Sequence, residues 1–375
     1  RRDWGVTGVQ TCALPIFSTT TVTDVTDPAY TGDAVGFYMP SGASLDLVIL
    51  QNAGDKTEKY TGLQASVTNA TLYGIPGLSA TVSGDVQVND GPAAGRLDWS
   101  VATVGNDPDN KLPDLNFDAT VEYAIRNGSA ALDVFGFVVL AGDFELVKQT
   151  LAINDGAGVD ITADALSLSL TNLGMFVGVG GGLVADNVSA TTVTDPATTD
   201  DAVGFYMPSG ASLDLVILQN AGDKTEKYTG LQASVTNATL YGIPGLSATV
   251  SGDVQVNDGP AAGRLDWSVA TVGNDPDNKL PDLNFDATVE YAIRNGSAAL
   301  DVFGFVVLAG DFELVKQTLS IDDGAGVDIT ADALSLSLSN FGMFVGVGGS
   351  LVDDNVSTTT RSEERRVGKE CRSRW

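Results

Sequence analysis

The feature that most constrains this chain is an internal repeat. Asp33–Leu151 recurs without a change as Asp201–Leu319, which places the two copies 168 residues apart. Beyond that run the copies drift, as Leu173 against Phe341 shows. Internal repetition usually marks an array whose units share one structural role. The sequence therefore predicts two units with the same fold.

The two ends differ from the rest of the chain. Residues 6–16 and 361–371 each match eleven consecutive residues of a translated short-read sequencing adapter. Such segments are set aside before any argument about fold. We therefore expect residues 1–16 and 361–375 to be non-native, and the chain to be a fragment of a longer protein. Both cysteines, Cys12 and Cys371, lie in these ends.

The remaining chain, from Phe17 to Thr360, is strongly acidic. The ends hold eight basic and four acidic residues of the 20 and 48 in the whole chain, which leaves 12 against 44 and a net charge of −32. This charge repels phosphate backbones and anionic lipid surfaces, so nucleic acid is not expected as a partner. No apolar run reaches the length of a membrane-spanning helix, and membrane insertion is not expected either.

Period-two alternation dominates the pattern. Leu63, Ala65 and Val67 alternate with polar residues, and so do three further sets: Leu97, Trp99 and Val101; Leu115, Phe117, Ala119, Val121, Tyr123 and Ile125; Leu166, Leu168 and Leu170. Alternation places one set of side chains on a buried sheet face. The 43 glycines would weaken any helix. The sequence predicts an all-β fold.

Four strings mark predicted corners between short strands: PSGASLDL, TNATLYGI, LAGDFELV and TNLGMFVGV. Recurrent corners favour an elongated, β-solenoid-like architecture. Their uneven spacing keeps two tandem antiparallel β-sandwich units as the alternative. The stretch from Ala185 to Asp201 is rich in Thr, Asp and Ala, and predicts a linker or long surface loop. It divides unit 1 (17–187) from unit 2 (188–360), with the boundary near Asn187.

The corner strands resemble repeats of a known kind. FGFVVLAGDFELVKQ (135–149), ALSLSLTNLGMFVGVGG (165–181) and GLQASVTNATLYGIPGLSA (62–80) look like the β-strand repeats of giant acidic bacterial surface proteins, including LEPR-XLL-type and adhesin-like proteins. The resemblance implies secretion, a stalk or surface role, and no catalytic residues to carry over. An extracellular or cell-surface location is the corresponding expectation.

Few residue types are left for catalysis. Without His, and with both cysteines in the ends, catalytic triads, thiol nucleophiles and zinc sites are not expected. Glu122 and Glu145 are candidate carboxylates, but each lies on a predicted strand, where it is interpreted as a residue of the wet face. We therefore expect no enzyme.

Two acidic loops are candidates for calcium, which binds clustered oxygen ligands. Ordinary turns use the same residue types, so the loops also fit plain turns. The candidate ligands are Asp107, Asp109, Asp114, Asp155 and Asp160 in the first copy, and Asp275, Asp277, Asp282, Asp323 and Asp328 in the second. Six Asn-x-Ser/Thr sequons, at Asn69, Asn127, Asn187, Asn237, Asn295 and Asn355, are interpreted as turn residues.

The sequence thus predicts a structural or adhesive repeat of a large extracellular bacterial protein. Its partners would be neighbouring repeat units, with surface glycans or proteins as further candidates. Duplication adds length or valency, which suits such a role. The alternative is a carbohydrate-active or carbohydrate-binding β-helix module.

Overall fold

A computed structural model describes residues 34–40, 42–92, 95–102, 112–156, 158–184, 191–198, 201–261, 263–271 and 279–351. The predicted boundary at Asn187 lies outside these residues. The strands of the first repeat are β1 (Gly36–Tyr38), β2 (Ser44–Gln51), β3 (Lys59–Tyr73), β4 (Leu78–Asp90), β5 (Val121–Val134), β6 (Val138–Asn154) and β7 (Asp160–Val179).

The second repeat follows the same plan. A short pair, β8 (Leu183–Val184) and β9 (Thr192–Val193), connects the repeats. The strands of the second repeat are β10 (Val203–Asn220), β11 (Lys227–Tyr241), β12 (Leu246–Asp258), β13 (Val289–Val302), β14 (Val306–Asp322) and β15 (Asp328–Val345).

Thirteen of the fifteen strands in the described residues form one antiparallel sheet that crosses the boundary between the repeats. From β3 to β7 and from β10 to β15 each strand pairs with the next along the chain, and β1 and β2 lie end to end along the same edge of β3. At the boundary β7 pairs with β10, with registers from Val179↔Val203 to Ala163↔Asn220. The all-β prediction is confirmed, and the choice between a solenoid and paired sandwiches stays a prediction.

A line of β-bulges crosses the middle of the sheet. The strand register shifts between Val67 and Ala70 in β3 and between Ala141 and Asp143 in β6. Asn69, with φ 52°, lies in the left-handed region that asparagine tolerates better than most residues. A bulge of this kind places two residues opposite one and bends the strand.

Three of the four predicted corners are therefore wrong as strand ends, whereas PSGASLDL begins between β1 and β2 in the first repeat. TNATLYGI begins inside β3, LAGDFELV lies inside β6, and TNLGMFVGV lies inside β7. The sequons at Asn69, Asn127, Asn237 and Asn295 likewise lie within strands and not in turns. Those at Asn187 and Asn355 lie outside the described residues. Short polar residues tolerate left-handed backbone at bulges as well as at turns, so the pattern alone does not separate the two.

One face of the sheet, called here the covered face, is capped by the connection between β4 and β5 in the first repeat. Trp99, Leu115 and Phe117 of this connection are all less than 5% exposed. The Trp99 indole N–H donates to Oδ1 of the buried Asn89, 2.8 Å away. Gly62 of β3 lies beneath the ring, where a Cβ atom would approach the indole to 2.6 Å. The cap therefore requires a glycine at this position.

Two strand predictions fail in this connection. Trp99 belongs to a short helix, α1 (Trp99–Ala102), and β5 begins only at Val121. Leu115 and Phe117 alternate because the connection lies along the sheet and inserts every second side chain into the core cluster. An extended segment that packs one side against the sheet shows this alternation whether or not it joins the sheet. The second repeat repeats this arrangement with α2 (Trp267–Ala270).

The linker between the repeats also packs on the sheet where it is described. Val193 of β9 is 4% exposed and joins a core cluster with Val139 and Phe176. A 3-10 helix, Pro196–Thr198, follows it. The described part of the predicted linker thus contributes to the core and packs against the sheet between β7 and β10 in the chain.

The opposite face, called here the apolar face, carries aliphatic side chains from strand to strand. At the repeat boundary Leu166, Leu168 and Leu170 face Ile217, Leu215 and Leu213. Among the described residues, no segment packs over this row. Exposure is greatest on the outermost strands, where Leu336 of β15 is 64% exposed and Leu45 of β2 is 64% exposed. No helix in the described part of the chain has the length and apolar character to cross a membrane.

Candidate functional site

A polar pocket lies on the covered face of each repeat, between the bulge line and the β4–β5 connection or its counterpart. The pocket of the first repeat has a volume of about 580 Å³, and that of the second about 380 Å³. Lining side chains shared by both are Gln64, Asp85, Gln87, Arg126 and Asn127 in the first repeat, and Gln232, Asp253, Gln255, Arg294 and Asn295 in the second.

An arginine organises each pocket. In the second repeat Arg294 forms an ion pair with Glu313 at 2.8 Å and donates from Nε to Gln255 Oε1 at 3.1 Å. Arg126 contacts Glu145 and Gln87 in the same way. Glu145, predicted from the sequence to lie on the wet face of its strand, forms an ion pair with Arg126.

A bulge asparagine forms one wall of the pocket. Asn127 donates from Nδ2 to Asp85 Oδ2 at 2.8 Å, and Asn295 to Asp253 at 2.6 Å. The opposite wall is held by Gln64, whose Oε1 accepts from the backbone N–H of Asn116 at 3.0 Å. The side chains come from several strands and one connection, so the sequence gives no local signal for the pocket. Convergent amides, a carboxylate and a guanidinium suit a polar, uncharged ligand rich in hydroxyl groups.

A second ionic group lies at the start of β5. Glu122 accepts from Lys148 at 2.7 Å and forms an ion pair with Arg96 at 3.0 Å. Burial alone would raise the pKa of Glu122, but the hydrogen bond and charge of Lys148 and the charge of Arg96 outweigh it and lower the pKa. A carboxylate held ionised by two cations is suited to a structural role rather than to proton transfer.

The calcium candidates are dispersed in the described residues. Asp155 is 4% exposed, and its Oδ1 accepts from the backbone N–H groups of Gly158 and Val159 at 3.0 and 2.9 Å. Its counterpart Asp323 makes the same kind of turn with Ala325 and Val327. These bonds to backbone N–H groups hold the pKa of Asp323 below its usual value.

The remaining candidates fall into two groups. Asp114, Asp160, Asp282 and Asp328 are exposed, and Asp107, Asp109, Asp275 and Asp277 lie outside the described residues. Within the described ranges no three carboxylates gather as a metal site would require. Calcium binding stays a prediction.

The junction between the repeats holds contacts that sequence reasoning missed. Ser169 of β7 donates to Asp214 of β10 at 2.6 Å. Lys279, in the connection of the second repeat, forms an ion pair with Asp118 of the first at 3.2 Å, and its carbonyl oxygen accepts from the buried Gln149 at 2.9 Å. The second repeat therefore covers part of the first as well as pairing with it.

Comparison with known proteins adds no relative. No protein-family model matches the chain, and no curated protein or solved structure matches it. The site must therefore be interpreted from its own geometry.

Proposed function

We propose that this chain is a non-catalytic structural or adhesive repeat segment of a large extracellular bacterial protein. The observation that carries the proposal is the β7–β10 pairing, through which the second repeat extends the sheet of the first. Repeats joined in this way contribute length and copies of the same surface, which is what a stalk or multivalent surface needs.

The elongated architecture predicted from the sequence belongs to this proposal. Each added repeat would lengthen one sheet along the direction of its strand pairing, at about 4.8 Å per strand. The partners are neighbouring repeat units of the same kind. The acidic charge and the resemblance to giant bacterial surface proteins support an extracellular location.

Coupling between the repeats tests this proposal. In a full-length chain whose only remaining tryptophan is Trp267, we expect Gly62→Ala in the first repeat to lower the denaturation midpoint reported by the second. Trp99 is replaced by phenylalanine in this background, which removes its fluorescence and keeps an aromatic ring in the cap. A Cβ atom at position 62 would clash with Leu115 and with the aromatic ring at position 99. Gly54→Ala, whose nearest neighbour is Asn52 at 3.5 Å, is the matched control. If Gly62→Ala leaves the denaturation midpoint reported by Trp267 unchanged, the two repeats unfold independently, and the proposal loses its basis.

The polar pockets favour a second candidate, a carbohydrate-binding or carbohydrate-active module. Two equivalent pockets on one sheet would bind a polymeric glycan with avidity. The measurement is retention and cleavage of a panel of neutral polysaccharides, with Arg126→Ala and Arg294→Ala made singly and together. Loss of retention in the double variant would support glycan binding, and release of reducing ends that depends on the same residues would support catalysis.

Calcium at the predicted acidic loops is a further proposal, in which the ion stiffens the loops of the array. Adding calcium to metal-stripped full-length chain should raise the Tm, and Asp155→Asn with Asp323→Asn should reduce that rise. An unchanged Tm would contradict the proposal.

A further inference from the structure

The two outer edges of the sheet carry the same strands that pair with each other in its middle. β15 has the sequence of β7 over Asp160–Val177, apart from Ser339 for Thr171 and Phe341 for Leu173. The β1–β2 edge, residues 34–52, is identical to residues 202–220, which contain β10. The junction inside the chain therefore shows how these two edges fit together.

The β1–β2 edge has fewer residues in strands than the identical sequence has at the junction. Residues 203–220 form the single continuous strand β10 when they lie against β7. The same residues at the edge form only β1 and β2, with Met39 and Pro40 outside any strand. Because the two sequences are identical here, the difference is due to pairing and not to propensity.

At the β15 edge, side chains are more exposed than their counterparts beside the β7–β10 junction. Ile153 is 1% exposed beside the junction, whereas its counterpart Ile321 is 42% exposed. Gln149 is 2% exposed, and Gln317, its counterpart in β14, is only partly buried. Apolar residues of β15 itself, Leu334, Leu336 and Leu338, are 61–64% exposed. The residues that the second repeat covers on the first are thus uncovered on the second.

We propose that a second copy of this chain adds its β1–β2 edge to β15, repeating the β7–β10 junction between molecules. This deepens the proposed structural role, on which it rests, by naming the surface through which units join. Transferring the internal register places Leu45, Leu47 and Ile49 of one copy opposite Leu338, Leu336 and Leu334 of the other. It also places Ser337 opposite Asp46, in the positions of Ser169 and Asp214.

The contact is head to tail, since it joins two different edges. Such heterologous contacts generate open-ended assemblies unless the rotation closes a ring. Main-chain hydrogen bonds along the strand supply affinity, and the matching leucine rows supply specificity. The proposal therefore predicts association that grows with concentration and is not limited to dimers.

A mixing experiment tests the pairing. One full-length variant carries Leu336→Lys and Leu338→Lys on β15, and the other carries Leu45→Lys and Leu47→Lys on β2. Each variant retains one competent edge, so each should remain monomeric alone in sedimentation velocity. An equimolar mixture should form a dimer and stop there, because its two remaining edges are both blocked.

Phe305→Lys is the matched control, since Phe305 is 55% exposed, lies in the turn between β13 and β14, and undergoes the same apolar-to-lysine change. It should assemble like the unaltered chain. Circular dichroism and the Trp267 unfolding midpoint report whether each edge variant stays folded. Should Leu336→Lys with Leu338→Lys unfold the chain, Ser337→Asp replaces it in the mixture, because this change on the other face of β15 would place a carboxylate opposite Asp46 of the partner copy and repel it.

Three outcomes would overturn the inference: an unaltered chain that is monomeric at every concentration, association that persists in both edge variants, or a mixture that gives no dimer. Persistent association would point to the apolar face as the contact. None of these outcomes alters the coupling between Gly62 and Trp267 within one chain, so failure here is distinguishable from failure of the structural role.

Discussion

The hydroxyl of Ser169 donates a 2.6 Å hydrogen bond to Oδ1 of Asp214, joining the last long strand of the first repeat to the first strand of the second. Burial raises the pKa of Asp214, the bond from Ser169 opposes that rise, and the nearby charge of Asp282 adds to it, with a net result above the ordinary value of 3.8. The junction therefore holds a carboxylate whose ionised form is disfavoured by its surroundings.

Asp214→Asn should stabilise the chain at neutral pH. A raised folded pKa contributes stability that is complete below pH 3.8 and is lost as the pH rises through the folded value, so the ionised carboxylate opposes folding at pH 7. The asparagine carbonyl can still accept from Ser169 without a charge. We expect a gain of a few tenths to about 1 kcal/mol in the free energy of unfolding, measured by urea denaturation. Asp46→Asn, the same change at the outer edge, should give a smaller gain, and equal gains would contradict the explanation.

The ion pair between Lys279 and Asp118 predicts the opposite pH dependence. Burial would raise the pKa of Asp118, but the hydrogen bonds from Thr120 and the contact and charge of Lys279 outweigh it and lower the pKa. The resulting stability is present above pH 3.8 and is lost as the pH falls through the folded value.

Lys279→Met should therefore destabilise the chain at pH 7 by about 0.5 kcal/mol, a small value because Asp118 is partly exposed and solvent screens the pair. The difference from the unaltered chain should shrink as the pH falls toward 2, since protonation of Asp118 removes the charge that Lys279 pairs with. Lys224→Met is the control and should have a smaller effect at pH 7, since the Lys224 side chain is 71% exposed and its Nζ lies 3.9 Å from Asp164 Oδ2. A penalty that is the same at both pH values would show that Lys279 acts through packing and not through its charge.

The contact between Gly230 and Trp267 predicts a steric penalty in the core. A Cβ atom at Gly230 would lie 2.5 Å from Leu283 and 2.6 Å from the indole of Trp267, both of which have no exposed surface. Gly230→Ala should cost about 1–3 kcal/mol, as overpacking of a well-packed core does. The near-ultraviolet circular dichroism of Trp267 should change with it. Gly222→Ala, whose nearest contact is Asn220 at 3.3 Å, should leave that signal unchanged.

The sequence predicted the strands better than the way they are arranged. Leu63 to Val67 and Leu166 to Leu170 lie in β3 and β7 as their alternation predicts. Leu115 and Phe117 show the same alternation without being in a strand, because they belong to a connection that packs on the sheet. Period two records that one side of an extended segment is apolar. It records neither which backbone groups pair nor which face of the sheet is covered, since in β7 the buried residues are Ala163, Ala165 and Ser167 and not the neighbouring leucines.

The candidate site and the junction had no local signal. Arg126 and Gln87 are 39 residues apart, and Ser169 and Asp214 are 45 apart. Their proximity follows from strand register, which the pattern of one strand does not specify. The repeat itself was visible in the sequence, but the fact that its units share one sheet depends on the β7–β10 pairing.

The bulge asparagines give the last prediction. Asn295 has φ 49° inside β13 and donates from Nδ2 to Asp253 at 2.6 Å. Left-handed backbone costs most L-residues about 1–2 kcal/mol, and glycine avoids that cost. We expect Asn295→Ala to lower the free energy of unfolding by about 1–2 kcal/mol, and Asn295→Gly to lose less because only the side-chain hydrogen bond is removed. Equal losses in the two variants would mean that the bond to Asp253, and not the backbone conformation, is what selects asparagine at the bulge. Urea denaturation of both variants, alongside Asn295→Asp, decides between these explanations, since aspartate tolerates the conformation but would repel Asp253.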